Sequence, residues 1–358
     1  MPDLFDPVTF GSIHAKNRVF MAPLTRTRGT REHVPNEMMA EYYAQRAGAG
    51  LIVSEAIGVS QQGLGLAFAT GLWRDDQVRG WRRVTDEVHS AGGKIIAQIW
   101  HMGRMVHPIF VNGELPVSSS ETCAPGRAHT YEGRAPFVTS RSLERSEIPA
   151  LLEDYRHAAR NAMDAGFDGI QIHAANGYLI DQFLRNNANF RKDEYGGSVQ
   201  NRARLLKEIT EALVDTVGPA QTSVRLSPNG DTAGVNDSDP KTLFLEVAKM
   251  LDDYNLAFLE LREMPKDGTL GHGDHDPLAP MFRENFSGPL VLNSDLTLDK
   301  ARDLLATGAA DAVSFGRLFV SNPDLPRRFK EGIPLAPFDK SKFYGQSAEG
   351  YTDYPAAP

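Results

Sequence analysis

Short apolar runs alternate with longer segments of helical period from residue 18 to near residue 330. A chain so patterned can bury its strands in a parallel sheet covered by helices. The runs fall at residues 18–21, 51–54, 94–98, 169–172, 222–226, 258–261, 289–292 and 312–315. Eight strands, each paired with a helical segment, predict an α/β fold of the (β/α)8 TIM-barrel type rather than a doubly wound sheet. Leu151, Leu152, Tyr155, Ala158, Ala159 and Ala162 form one helical stripe ending at Gly166, and Leu206, Ile209, Leu213 and Val217 form another ending at Gly218. Weaker helical patterns cover residues 38–47, 78–90, 242–251 and 298–307. No GxGxxG follows any run and no P-loop signature occurs, so neither kind of nucleotide-phosphate loop is supported.

Residues 1–358 therefore read as a single barrel domain with two additions. Residues 102–146, after the third strand, are rich in Gly, Pro, Ser and Thr and predict a loop or small subdomain over the strand ends. Residues 335–358 carry several aromatics for a terminal segment, which predicts a tail packed back onto the barrel.

Charge and cysteine content narrow the partners. A net charge of −8 argues against a nucleic acid or an anionic membrane, either of which would need a basic surface. Cys123 is the only cysteine, so there is no internal disulfide and no cysteine-based metal pair. No apolar run approaches membrane-spanning length and no leader pattern opens the chain, so a cytoplasmic location is expected. His272, Gly273, Asp274 and His275 superficially suggest a metal, but they sit in a glycine-rich stretch without helical register, and no metal is expected.

The stretch from Gly169 to Tyr178, GIQIHAANGY, is the most informative. Its strand-like alternation stops at His173, so a tight turn can aim His173, Asn176 and Tyr178 into one space. Other strand ends are similarly furnished. Pro23, Leu24, Thr25 and Arg26 follow the first run, Glu55 and Ala56 the second, and Gln98, Trp100 and His101 end the third. Arg225 lies near the end of the fifth, Asn293 and Ser294 follow the seventh, and Gly316 and Arg317 the eighth. These six strand ends, converging with the fourth, imply one composite pocket at the barrel's C-terminal mouth. Gly316 permits close backbone approach and Arg317 supplies charge, as a phosphate site in the last two loops requires. Taken alone, Arg317 reads equally well as a surface residue paired with an acid.

The segments MAPLTR, EA, QIWHMGR, HAANGYLIDQFLRNNANFRKDEYGGSVQNRARL, SFGRLFVSNPDL and EGYTDYP, in this order and spacing, resemble the Old Yellow Enzyme family of flavin-dependent ene-reductases. The resemblance runs nearly the whole length. It implies a (β/α)8 barrel that holds FMN noncovalently, is reduced by NAD(P)H and is reoxidised by an electron-poor alkene. It further implies that Pro23, Leu24 and Ala56 line the flavin plane, while Asn293, Gly316 and Arg317 take its phosphate. Trp100, Leu66, Phe68 and Tyr351 would border the substrate. The chain departs from the family's frequent pair of histidines by having Asn176 beside His173, and from a frequent glycine near Asn293.

The residue types suit that chemistry. Gln98, whose amide both donates and accepts, matches a flavin's pyrimidine edge, and Arg225 suits the N1/O2 side where negative charge collects on reduction. Thr25 is placed to donate to the N5/O4 side. His173 and Asn176 would form a two-donor fork on a carbonyl or nitro oxygen, and Tyr178 would protonate the α-carbon from the face opposite the flavin. A histidine at a strand end is also what a structural histidine looks like, and Tyr178 alone could be a packing residue; their company favours the fork. Trp100 alone would be core, and His101, next to it in a strand, would face the other way. Arg141, in the long loop, could meet a nicotinamide phosphate, although a solvated loop arginine is the simpler reading. The partners are then an activated alkene and NAD(P)H, on a monomer or homodimer. Two alternatives stay open: a flavin barrel that mainly reduces nitro compounds or nitrate esters, and a non-enzymatic flavin-binding protein. An aldolase-type barrel is disfavoured because Lys94 begins its strand rather than ending it.

Overall fold

In the computed structural model, which describes residues 2–266, 268 and 273–358, eight parallel strands close into a barrel. They are β1 (Val19–Met21), β2 (Ile52–Gly58), β3 (Ile95–Trp100), β4 (Ile170–Ala174), β5 (Thr222–Leu226), β6 (Phe258–Arg262), β7 (Leu290–Asn293) and β8 (Ala312–Phe315). Each strand pairs with its sequence neighbour, and β8 closes on β1 through the register Ser314 to Phe20. Every expected strand is present. Strands β2, β3 and β4 run further than the apolar runs suggest, and β4 includes His173 and Ala174. The reason is chemical: ladder hydrogen bonds continue to the mouth, where inward side chains face a cavity and need not be apolar.

Helices Glu37–Gln45, Asp75–Ser90, Ile148–Asp164, Val199–Val217, Pro240–Asp252 and Leu298–Ala306 occupy the segments of helical period. In Ile148–Asp164 the residues Leu151, Tyr155, Ala158, Ala159 and Ala162 are buried. Val199–Val217 starts at Ser198, whose side chain accepts from the Asn201 amide, and stops at Gly218, φ 88°. Four helices of five to seven residues, Leu179–Leu184, Ala279–Asn285, Arg317–Ser321 and Leu325–Glu331, were too short to show a period in sequence. Among the described residues no helix is long and apolar enough to cross a membrane.

The barrel interior is layered because successive inward side chains lie two residues apart. The lowest layer, Phe20, Val53, Ile96, Phe258, Val291 and Ala312, is apolar and buried. An antiparallel N-terminal hairpin, Val8–Phe10 with Ile13–Ala15, plugs it, and Phe10 packs against Phe20 and Phe258 at ring distances of 5.6 and 5.8 Å. Above it lies a polar layer. Gln98 Nε2 donates to Gln171 Oε1 at 2.7 Å, Gln171 Nε2 to Glu260 Oε2 at 2.9 Å, and Ser314 Oγ to Glu260 Oε1 at 2.6 Å. Two residues further along the strands come Trp100, His173, Arg225 and Arg262.

One irregularity sets up the mouth. Between β2 and β3, Val53 pairs with Ile96 but Ala56 pairs with Gln98, so β2 carries extra length opposite a regular strand. Ser54 Oγ accepts from the Gln98 amide at 3.0 Å, which satisfies the donor that the bulge would orphan. The bulge turns Ala56 into the barrel and Glu55 outward, where the Glu55 amide donates to the Tyr43 hydroxyl at 2.8 Å.

Residues 102–146 contain a parallel pair, Val117–Ser118 with Arg141–Ser142, and a hairpin, Arg127–Thr130 with Gly133–Pro136. The C-terminal segment is tied down by two buried arginines after β1. Arg26 donates to the carbonyls of Phe343 and Gly350 at 2.8 and 2.7 Å, and Arg28 to those of Phe343 and Glu349 at 2.9 and 3.1 Å.

Candidate active site

His173, Asn176 and Tyr178 line one cavity of about 420 Å³ at the C-terminal ends of the strands, with Pro23, Leu24, Thr25, Ala56, Gln98, Trp100, Arg225, Asn293, Gly316 and Arg317. The local sequence explains the first three. After β4 the chain turns through Asn176 and Gly177, at φ 61° and 78°, conformations suited to asparagine and glycine. A Cβ on Gly177 would lie 2.4 Å from the Thr232 carbonyl oxygen, so glycine is required there. The Asn176 amide donates to Ser227 Oγ and the Gly177 amide to Asp181 Oδ2, at 2.8 and 2.9 Å. Asp181 is itself held by Arg185 at 2.8 Å.

The turn orients the donors. The Ala175 amide donates to His173 Nδ1 at 3.3 Å, which leaves Nε2 to carry the imidazole proton and point away from the turn. Asn176 Oδ1 accepts from Arg262 Nη1 at 2.8 Å, so Nδ2 is the end free to donate. Burial, with the charges of Arg225 and Arg262 adding to it, holds the His173 pKa well below the usual histidine value. The ring is neutral at physiological pH. Burial pushes the Tyr178 hydroxyl well above the usual phenol value, so it retains its proton. Tyr178 stands edge-on to Trp100 and His173, at ring distances of 4.6 and 4.9 Å.

Beside the fork, Arg225 is anchored rather than loose. Its Nε lies 3.3 Å from Glu260 Oε2 and its Nη2 donates to Asn293 Oδ1 at 2.8 Å, while Asn293 Nδ2 donates to the Ser314 carbonyl. Nη1 makes no hydrogen bond to the described residues. Gln98, with one N–H directed to Gln171, keeps its oxygen and second N–H. A cation, a mixed donor and acceptor, and the small residues Ala22, Pro23 and Ala56 thus share one cavity, a donor set that fits the pyrimidine edge and face of a flavin. At the far end Arg317 pairs with Asp295 and stacks near Phe338, at 5.5 Å from the ring centre.

Leu66 and Phe68 line an adjoining cavity of about 560 Å³ that shares Thr25, Trp100, Met105, Tyr178 and Tyr344 with the first. Tyr351 is a correction. It is fully buried, stacked on Tyr42 at 4.0 Å beneath the Arg28 guanidinium, and lines neither cavity. The tail's aromatic residues at the mouth are Phe343 and Tyr344, eight and seven residues earlier. Arg141, for which a loop arginine is the simpler reading, makes a two-pronged pair with Glu147, both bonds 2.7 Å, away from the cavity linings. His101 faces away from the mouth, accepting from the Gly103 amide, and burial lowers its pKa to about 3. His272 lies outside the described residues; among those described there is no cluster able to hold a metal ion.

Sequence reasoning missed Arg262, Glu260, Gln171 and Tyr344. The sixth strand was the signal: Arg262 directly follows the run at 258–261, so the strand-end rule applied there would have found it.

Comparison with known proteins gives the chain its family. Residues 3–336 match the model of the NADH:flavin oxidoreductase / NADH oxidase family. The structure of an Old Yellow Enzyme homologue from Zymomonas mobilis is 56% identical with a TM-score of 0.98, covering 99% of this chain and 100% of that one. Morphinone reductase in complex with tetrahydroNAD is 40% identical with a TM-score of 0.94, covering 100% and 98%. The 12-oxophytodienoate reductase 2 of Arabidopsis thaliana is 38% identical, covering 99% of this chain and 95% of that protein. The chain therefore belongs to the NADH:flavin oxidoreductase / NADH oxidase family, that of the Old Yellow Enzymes, and is an NAD(P)H-dependent oxidoreductase that uses noncovalent FMN.

Proposed function

We propose that this flavoenzyme reduces alkenes activated by a carbonyl, imide or nitro group, and that His173, Asn176 and Tyr178 carry the alkene half-reaction. Bound FMN supplies the redox chemistry, accepting hydride from NAD(P)H and returning it to the alkene's β-carbon. The observation that carries the reading is the orientation of the fork: Nε2–H of His173 and Nδ2 of Asn176 are both left as donors by their other hydrogen bonds. Negative charge grows on the substrate oxygen as hydride arrives, and fixed donors in a buried site stabilise it, each by about 3 to 4 kcal/mol.

Tyr178 then delivers a proton to the α-carbon. Its raised pKa keeps the proton available, and among the described residues no protein acceptor competes for its hydroxyl. Trp100 holds the ring edge-on. Gln98 and Arg225 hold the flavin's pyrimidine edge, with Glu260 and Asn293 fixing the arginine. Thr25 serves the N5/O4 side, while Gly316, Arg317 and Asn293 take the phosphate.

Because the nicotinamide and the alkene share one cavity, the half-reactions alternate and the kinetics are ping-pong. Intersecting double-reciprocal lines would count against this. The deciding experiment adds NADPH anaerobically to purified holoenzyme, then 2-cyclohexenone. Flavin absorbance that bleaches and returns supports the reading; bleaching without return leaves a flavin reductase with another acceptor.

A further inference from the structure

Of the four arginines that line the cavity among the described residues, Arg26 is turned into the carbonyls of the C-terminal segment and two are balanced by a carboxylate. Arg225 lies against Glu260 and Arg317 against Asp295. Arg262, at the end of β6, lines the same cavity, and among the described residues no carboxylate approaches it. Its Nη1 bonds to the neutral amide of Asn176 at 2.8 Å, and its Nη2 has only the Met264 sulfur at 3.5 Å, a weak acceptor. Burial first, and then the neighbouring Arg225, lower its pKa to about 10, which still leaves it charged at neutral pH. A sheltered guanidinium without a counter-charge is costly, and in a cleft it is poised for an anion supplied from outside.

The location restricts that anion. Arg262 is bonded to the very residue that would grip the substrate's carbonyl oxygen, so an anion it receives lies close to that carbonyl. A carboxylate matches the planar donor edge, forming charge-assisted hydrogen bonds that outlast competition with water.

We propose that Arg262 is a specificity-determining residue that binds a carboxylate carried by the substrate near its activating carbonyl. The preferred class is then unsaturated half-esters and keto acids rather than neutral enones alone. This rests on the ene-reductase reading above. Arg262 thereby has two tasks: it orients Asn176 for every substrate, and it recognises charge only in some.

The experiment separates the tasks. Holoenzyme and its Arg262→Met, Arg262→Gln and Arg262→Lys variants are assayed with NADPH against monomethyl maleate and dimethyl maleate, and the ratio of the two kcat/KM values is compared. Damage through Asn176 affects both esters and cancels in the ratio. The expected result is a fall in the mono- to diester ratio of roughly tenfold or more in the Met or Gln variant, the scale of a lost charge-assisted hydrogen bond, with much of it retained by Lys. The flavin spectrum reports folding, and either neutral variant suffices. A ratio that stays within about fivefold of the parent's would mean that Arg262 only holds Asn176, overturning the proposal. If the parent enzyme reduces neither dimethyl maleate nor 2-cyclohexenone, the ene-reductase reading falls and this proposal with it.

Discussion

Arg262 Nη1 donates to Asn176 Oδ1 at 2.8 Å, and that contact decides which end of the Asn176 amide faces the substrate. Replacing the amide by a carboxylate keeps the shape and the arginine bond but removes the donor. Asn176→Asp is therefore expected to slow reoxidation of the reduced flavin by 2-cyclohexenone by about 10² to 10³. Stopped-flow absorbance measures it, and an unchanged rate would remove Asn176 from the fork.

His173 gives a pH prediction. Its folded pKa is depressed below 6.5 by burial, then by Arg225 and Arg262, so the folded protein takes up this proton less readily than the unfolded chain. The neutral ring thus contributes stability that is present above about pH 6.5 and is lost as pH falls toward the folded value. Catalytically, kcat/KM for an enone should show no limb from His173 between pH 6 and 8. An acidic limb near pH 6.5 in the parent that disappears in His173→Asn would show that the ring titrates in the fold and sink the idea.

Tyr178→Phe tests the proton. The hydroxyl's pKa is raised chiefly by burial, so the group stays protonated through the alkaline range in which enzymes are assayed. Its loss should lower enone turnover by about 10² to 10⁴, while reduction of the flavin by NADPH, which needs no proton at an α-carbon, persists. Equal losses in both half-reactions would recast Tyr178 as a packing residue against Trp100.

The strands were legible because each is a short apolar run bounded by polar residues, and the fork because three polar side chains stand within six residues of a strand end. Glu260 and Gln171 were hidden inside the strands. They are polar residues at inward positions, and only the closed barrel shows that they bond to each other beneath the cavity. Tyr351 misled for the opposite reason. A terminal aromatic beside a barrel suggests a lid, but the two buried arginines and Tyr42 that capture it come from residues 26 to 42, over 300 positions away. The N-terminal hairpin escaped notice because its strands are three residues each.

Glu55 supplies the last prediction, and its origin is the bulge in β2. Had β2 kept strict alternation after Val53, Glu55 would point into the barrel; the extra length turns it outward into a fully buried pocket with Tyr43, Thr70 and the arginines of the tail clamp. Burial raises its pKa from 4.5 to about 7, outweighing the Arg26 amide, Thr70 and the charges of Arg26 and Arg28, all of which pull it down. The folded protein therefore holds this proton more tightly than the unfolded chain. The associated stability is fully present below about pH 4.5 and is lost as pH rises through 7, an amount of about 3 kcal/mol. Glu55→Gln carries no proton to lose. Urea unfolding at pH 5 and pH 8 should give the parent a downward component in stability that the variant lacks. If the two pH dependences coincide, the arginine pair keeps Glu55 ionised throughout, and the buried cluster behind the cavity is a standing ion network rather than a proton-linked one.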